Sequence, residues 1–295
     1  MRAAIIEDGR LELEERPDPV PGDGEVLVRI HAAGINRADL MQRAGHYPPP
    51  PGAPLDIPGL ECVGEVVGTG ARVCALLGGG GHAELVAVDE RHTLPLPEGL
   101  DWPPAGGFME VYATAHDALF TQALLLPGER LLVNGASGGV GTAAVQLGVA
   151  LGAEVTGVAR SNADRVRSLG AATEVTGEYD VILELIGGAN LSEDVALLAP
   201  QGRLAVIGTG AGARAQVDFG LVMRKRAHLF GSTLRSRSAD EKALVVERLR
   251  EAVLPLLEAG RVTVPVHATF PLDRIEDAYA AFDTPGKFGK LVLLP

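Results

Sequence analysis

The run Leu131-Leu132-Val133-Asn134-Gly135-Ala136-Ser137-Gly138-Gly139-Val140-Gly141-Thr142-Ala143-Ala144 constrains this chain more than any other stretch. A short apolar strand runs into a glycine turn, and the turn opens onto an apolar helix expected over Val140–Leu151. That order is the context a dinucleotide fingerprint requires. Gly138 has no Cβ, so the backbone there can approach a pyrophosphate closely. Gly141 lets the helix pack hard against the strand, and the helix start at Gly139 and Val140 offers free N–H groups and a partial positive charge. The fingerprint's first slot is held by Ala136, with Gly135 just before it and Ser137 just after. A glycine turn alone is weak evidence; strand, turn and helix in sequence make it a cofactor loop.

The surroundings extend the pattern. Strands expected at Leu131–Val133, Glu154–Ala159, Asp180–Leu185 and Arg203–Ile207 alternate with helices at Val140–Leu151 and Asn162–Leu169. Such alternation implies parallel βαβ units and a doubly wound α/β domain. Asp240–Ala259 reads as one long amphipathic helix ended by Gly260. Before residue 105 the text is β-like (Ala3–Ile6, Glu25–His31, Gly64–Val67, Glu84–Val88), punctuated by Pro17, Pro19, Pro21, Gly22 and Gly24. After the long helix come a β-run at Val262–Val266, a helix at Leu272–Phe282 and a closing strand at Lys290–Leu294. The expected organisation is a β-rich domain of residues 1–108 and 260–295, partly open-barrel in character, carrying an inserted cofactor domain of residues 109–259. A length of 295 residues agrees with two domains at about 150 residues each.

Composition removes whole classes of function. Lys plus Arg is 26 and Asp plus Glu is 38, a net charge of −12, against nucleic-acid binding and against anionic membrane surfaces. Two cysteines, Cys62 and Cys74, make neither a disulfide framework nor a Cys-rich zinc site. The N-terminal apolar run is too short for a signal peptide, and no stretch approaches a membrane span, so a cytoplasmic location is expected.

The end of the second strand selects the cofactor. NAD-preferring sites place an acid there for the ribose 2′-OH. This chain has Ala159, Arg160 and Ser161 instead: a planar fork suited to a 2′-phosphate and a hydroxyl donor beside it. NADPH is therefore the expected cofactor.

These residues, with Gly34-Ile35-Asn36-Arg37-Ala38-Asp39-Leu40 and Pro58-Gly59-Leu60-Glu61-Cys62-Val63-Gly64, resemble the medium-chain dehydrogenase/reductase superfamily. The run from Asn36 to Pro50, which includes Met41, His46 and Tyr47, is similar to the p53-inducible-type quinone oxidoreductases, relatives of zeta-crystallin. Leu94–Leu100, Glu110–Phe120 and Gly231–Arg237 extend the likeness over nearly the whole chain. The resemblance implies a GroES-like β domain with a Rossmann insertion, NADPH-dependent quinone reduction and a homodimer, for which the strand-like run Ala227–Leu234 offers a sheet edge. It implies that Asn36 and Asp39 stand at the nicotinamide end, with Arg37 a surface or cofactor-side charge, that Tyr47 faces the acceptor and that Thr114 lies near the cofactor. Gly208 and Thr209, then Leu234, Arg235 and Ser236, match loops lining the nicotinamide; Phe288 and Lys290 match a C-terminal cofactor contact. Seven histidines read as structural or exposed, with His116 alone kept as a candidate for its nearness to Thr114. Two departures stand out: Val67–Val73 is short, and Gly170–Val181 lacks the usual intervening helix, which leaves open whether Tyr179 contacts the 2′-phosphate.

Zinc-dependent relatives carry Cys where this chain has Asn36 and His where it has Leu60; neither replacement suits a tetrahedral Zn²⁺ site, so no metal is expected. Hydride transfer to an electron-poor quinone needs orientation and exclusion of water more than acid–base groups. Two other readings share these features. One is an NADPH-dependent reductase of activated C=C bonds such as enals and enones, for which the sequence offers no obvious acid. The other is an NADPH-binding redox sensor of weak turnover.

Overall fold

The structure, a computed structural model, describes residues 1–96 and 100–295; residues 97–99, part of the run that carries the resemblance, lie outside the described residues. The chain forms two compact units. One comprises Met1–Ala113, Leu234–Glu258 and Val264–Pro295; the other comprises Thr114–Thr233 and Ala259–Thr263. In chain order the strands are β1 (Arg2–Glu7), β2 (Arg10–Glu15), β3 (Glu25–Ile35), β4 (Glu61–Val66), β5 (Arg72–Leu76), β6 (Leu85–Asp89), β7 (Thr93–Pro95), β8 (Arg130–Asn134), β9 (Glu154–Val158), β10 (Tyr179–Glu184), β11 (Leu198–Val206), β12 (His228–Gly231), β13 (Val266–Pro271) and β14 (Lys290–Leu294).

The first unit is β-rich. β1 and β2 make a hairpin whose Asp8-Gly9 turn has φ of 47° and 77°, the left-handed pair that a tight two-residue hairpin requires. A second sheet runs β13-β14-β3-β4-β5-β7, with β6 added on β3. β3 serves three neighbours because it is 11 residues long and breaks register between Ile30 and Ala32. Its first half pairs with β6, its middle with β4, and Ala33–Ile35 with β14. The short Val67–Val73 stretch is a tight hairpin between β4 and β5, with Gly68 and Gly70 at φ of 94° and 71°. Ile35, Leu272, Tyr279, Leu291 and Leu293 fill one core; Val28, Ile30, Cys62, Ala75 and Val86 fill another.

Leu234–Glu258, expected in the cofactor domain, belongs to this first unit. The helix Ala239–Ala252 is tied to it by His92, whose Nε2 lies 2.8 Å from the Ala239 carbonyl, and by Arg250, which donates to the Thr93 carbonyl at 3.1 Å. The single helix expected over Asp240–Ala259 breaks at Val253, and a second one covers Leu254–Glu258, because Pro255 lacks the N–H that would continue the first. The strand expected at Val262–Val266 begins at Val266 instead and runs to Pro271, where exposure alternates with period two.

The second unit carries a five-stranded sheet in the order β12-β11-β10-β8-β9, parallel throughout. β8 lies between β9 and β10, so the connections leaving its carboxyl end diverge there, as ligand-binding α/β sheets require. β11 begins earlier than expected, at Leu198, and β10 begins with Tyr179. The Gly170–Glu178 span is held without a helix: the Gly157 N–H donates to the Ala172 carbonyl, and Arg130 donates to the Thr176 and Glu178 carbonyls. Among the described residues no helix is long and apolar enough to cross a membrane.

Candidate functional site

In the second unit the glycine turn joins β8 to the helix Gly139–Ala150, whose N-cap is Gly138. The Gly135 and Ala136 N–H groups both donate to the Val158 carbonyl at 3.0 and 2.9 Å, which fixes the turn against the end of β9. The glycines do different work. A Cβ on Gly141 would lie 2.2 Å from the Gly135 carbonyl oxygen and 2.7 Å from Ala136 Cα, so helix–strand packing demands glycine there. A Cβ on Gly138 would meet nothing closer than 3.6 Å. Packing within the unit does not require that glycine, and the missing Cβ leaves the backbone open to close approach. The first N–H groups of the helix have no acceptor within it and face where an anion would sit. Ala136 is buried, Ser137 to Val140 are half-buried, and Arg160 and Ser161 are exposed on the loop after β9 with Ala159 half-buried before them. Gly208 is half-buried against the Leu185 backbone, and Thr209 is exposed.

A buried polar knot lies beside this turn, at the carboxyl ends of β8 and β10. Asn134 donates to Glu184 at 2.8 Å and to Asp194 at 2.7 Å, and Glu184 also accepts from the Asn190 amide and the Gly187 N–H. Burial, and then the charge of Glu184, hold the Asp194 carboxyl well above the usual carboxylate range. Tyr179 has no part in cofactor binding as placed: it is fully buried at the amino end of β10, bonded to Thr156 at 3.2 Å beneath the Arg130 guanidinium.

In the first unit the chemistry is built from distant residues. Lys290 is 3% exposed, and its ammonium donates to the Ile35 carbonyl at 2.9 Å, to Asn36 Oδ1 at 2.7 Å and to Glu61 Oε1 at 2.7 Å. Asn36 Nδ2 donates to the same Glu61 oxygen at 2.9 Å, and the Glu110 N–H donates to the other at 2.9 Å. Gly34 leaves the space for that carboxylate: a Cβ there would lie 2.4 Å from Glu61 Oε1. Asp39 is fully buried and accepts from the Asn36 and Gly59 N–H groups at 2.7 and 3.0 Å. His82 lies 3.9 Å from it, and the Tyr279 hydroxyl lies 3.1 Å from His82 Nδ1. Burial raises the Asp39 carboxyl and lowers His82. The near Gly34 carbonyl at His82 Nε2 places the proton on that nitrogen, so Nδ1 accepts from Tyr279.

These contacts revise several expected roles. Lys290 spends its three N–H groups inside the unit, so no donor remains for a cofactor. Asp39 anchors the loop that starts at Asn36, and its carboxylate is taken up inside the unit instead of serving a nicotinamide. Arg37 is exposed and paired with Asp283 at 2.6 Å. Phe288 and Leu234 are buried, and Ser236 is exposed. Arg235 is 3% exposed and bonded to Gln42, Tyr47 and Gly78. Tyr47 is half-buried and lines a cavity of about 200 Å³ with Pro48–Pro51, Arg235 and Ser236. Thr114 is half-buried on the helix Met109–His116, within which the unit boundary falls, and His116 packs against Phe120. Glu61, Glu110 and Lys242 escaped the sequence reading. Burial, with the Glu61 charge next, pushes the Glu110 carboxyl up to about 8, and burial lowers the Lys242 amine. The acidic residues beside motif positions, Glu61 after Leu60 and Glu110 before the Thr114 segment, were the available signal.

The donor set at Asn36 and Leu60 does not fit a divalent metal. Leu60 offers no ligand atom, and an ammonium already occupies the oxygens of Asn36 and Glu61 that a cation would use. Cys62 and Cys74 are buried, and burial pushes both thiols far up.

A β-rich unit interrupted by a parallel sheet with a glycine turn is the architecture of the medium-chain dehydrogenases/reductases, a class of oxidoreductases. Known proteins sharpen this. A model of the alcohol dehydrogenase GroES-like domain matches residues 22–98, and one of the zinc-binding dehydrogenase family matches residues 151–293. The quinone oxidoreductase of Rattus norvegicus is 32% identical over 306 residues, covering 94% of this chain and 91% of that protein. That of Homo sapiens is 29% identical over 305 residues, with the same coverage of 94% and 91%. The crystal structure of the quinone oxidoreductase from Thermus thermophilus, described also in complex with NADPH, matches with a TM-score of 0.88 and 34% identity over the whole of both chains. The chain belongs to the quinone oxidoreductase type of the medium-chain dehydrogenase/reductase superfamily.

Proposed function

We propose that this oxidoreductase reduces quinones with NADPH by hydride transfer and without a metal. The observation that carries the reading is Gly138, a glycine at a helix N-cap where a Cβ would find open space. It supports a pyrophosphate lying on the turn Ala136–Gly141. Arg160 and Ser161, exposed after β9 where an acid would serve NAD, support a 2′-phosphate. The bound nicotinamide supplies the hydride. The protein's own part is to hold the pyrophosphate on backbone N–H groups and to offer the acceptor an apolar wall at Tyr47 and its prolines. The relatives' names point the same way. The mismatch between zinc and the Lys290–Asn36–Glu61 set supports metal-free turnover. We also infer a homodimer through β12, an edge strand bonded on one side to β11, with Leu229 37% exposed on it and Phe219 and Met223 exposed on the preceding helix.

A second reading, reduction of activated C=C bonds, needs a proton donor for the enolate carbon, and Glu110, its carboxyl pushed up to about 8 by burial, is the candidate. NADPH oxidation measured side by side with 1,4-benzoquinone, 1,4-naphthoquinone and an enone decides between them. Faster turnover of the quinones is expected; enone turnover that exceeds both overturns the first reading.

A further inference from the structure

The segment from Tyr47 to Pro51 has little backbone hydrogen bonding to hold it, Pro50 accepting from the Ala53 N–H at 3.1 Å. Pro48, Pro49, Pro50 and Pro51 have no N–H to donate, so no backbone ladder fixes them. One side chain does the tying. The Arg235 guanidinium donates from Nη1 to the Tyr47 carbonyl at 2.9 Å, from Nε to the Gly78 carbonyl at 2.9 Å and from Nη2 to Gln42 Oε1 at 2.5 Å. Gln42 in turn donates from Nε2 to the Leu55 carbonyl at 3.1 Å. The start of the loop and the glycine run behind it meet on one planar fork, and the far end of the loop joins it through Gln42. Gly78 belongs to the arrangement, since a Cβ there would press on Pro50 Cγ at 3.0 Å. The guanidinium also stands 5.3 Å from the centre of the Tyr47 ring.

The electrostatics of this clamp are unusual. All three acceptors are neutral oxygens, although the group is 3% exposed. An arginine keeps its charge under such conditions. The acidic groups that act on it, Asp39 and Glu110, lie outside its hydrogen bonds, and Lys242 adds charge of the same sign.

We propose that Arg235 is a positioning residue for the acceptor: it fixes the Tyr47–Pro51 wall and sets a positive charge behind it that its hydrogen-bond partners do not neutralise, so that the cavity favours flat rings that are anionic or become so on reduction. This rests on the quinone-reductase reading. Hydride from the reduced nicotinamide converts a quinone to the hydroquinone monoanion and leaves the nicotinamide oxidised; water then supplies the second proton. A fixed positive charge stabilises that monoanion more than the neutral quinone.

Steady-state kinetics of the full chain, with NADPH and acceptor varied separately, test this on 1,4-naphthoquinone and its 2-sulfonate. Arg235→Gln is expected to raise KM for 1,4-naphthoquinone about tenfold and KM for the 2-sulfonate by a larger factor, while KM for NADPH stays within about twofold. Arg235→Lys, which keeps the charge and loses the fork, is expected to weaken 1,4-naphthoquinone similarly but to retain the wild-type preference for the sulfonate, which Arg235→Gln loses. A rise in KM for NADPH with the acceptor unaffected would overturn the proposal in favour of a cofactor contact, and an equal sulfonate preference in both variants would overturn its electrostatic half. Hydrogen exchange of residues 42–55 without ligand gives a reading independent of turnover. Faster exchange there in Arg235→Gln, with the second unit unchanged, is expected, and unaltered exchange overturns the clamp. Should Arg235→Gln not fold, Gln42→Ala removes one arm and is expected to loosen the same residues to a smaller degree. A wild-type protein that reduces no quinone yet shows the exchange effect refutes the functional reading and leaves the clamp standing.

Discussion

The glycine turn of the second unit and the lysine-centred cluster of the first both fix polar groups in place, in opposite ways. The turn uses backbone: N–H groups of consecutive residues, presented by a helix start and made accessible by missing side chains. The cluster uses side chains from Asn36, Glu61 and Lys290, brought together over 254 positions of chain. A backbone device tolerates change in side-chain identity except where a Cβ collides. A side-chain device fails when any single partner is lost, because the others remain buried and unpaired.

The largest expected effect comes from breaking the cluster. Lys290→Met leaves the Glu61 carboxylate in a dry interior without its cation and should cost about 3–5 kcal/mol of stability. Urea unfolding measures this, and a loss below about 1 kcal/mol would mean that the pair is a solvated contact. The next largest comes from the turn. Gly141→Ala drives a methyl into the Gly135 carbonyl and should cost about 1–3 kcal/mol. Gly138→Ala should leave stability within about 0.5 kcal/mol and weaken NADPH binding, a contrast that calorimetry and thermal melts resolve together. If both alanines destabilise alike, Gly138 is a packing residue.

The knot of Glu184 and Asp194 sharpens the comparison with a third case, side chains locked together inside the backbone-built unit. The folded state holds the Asp194 proton more tightly than the unfolded chain, so its contribution is fully present below the unfolded value near 4. It is lost as pH rises toward the elevated folded value, at up to about 1.4 kcal/mol per pH unit. Asp194→Asn should therefore flatten the fall in melting temperature between about pH 4 and 8. An unchanged slope would place the sensitivity elsewhere. The smallest effect is expected at Arg160. Exposed and screened, its loss should weaken NADPH about tenfold and leave NADH nearly unaffected, as a kcat/KM ratio for the two cofactors will register.

What could be read in the sequence follows the same division. The turn, its strand and its helix were legible because each signal is local: glycine spacing, an apolar run and a period. The alternation of strands and helices and the closing strand at Lys290–Leu294 were legible for the same reason. Pro255 was a local signal overlooked within a strong amphipathic period. The inward roles of Lys290, Asp39 and Arg235 were not legible, because a charged side chain near a motif reads as a ligand contact until its burial is known. Tyr179 shows the limit from the other side. Its position along β10 puts it at the amino end of a parallel strand, which spacing alone does not reveal when the preceding span is short.

The ion pair between Glu61 and Lys290 also sets a timetable. A ribosome makes Glu61 early and Lys290 only after Thr114–Thr233 and Ala259–Thr263, the whole of the second unit, have been synthesised. A nascent chain can therefore complete the parallel-sheet unit while the first still lacks its cation and the strand that delivers it. Over that interval Glu61 must stay wet, and the sheet edge at Ala33–Ile35 that β14 will cover stays open. The first part of the chain to be made is thus the last to close, and its apolar faces wait longest for cover during synthesis.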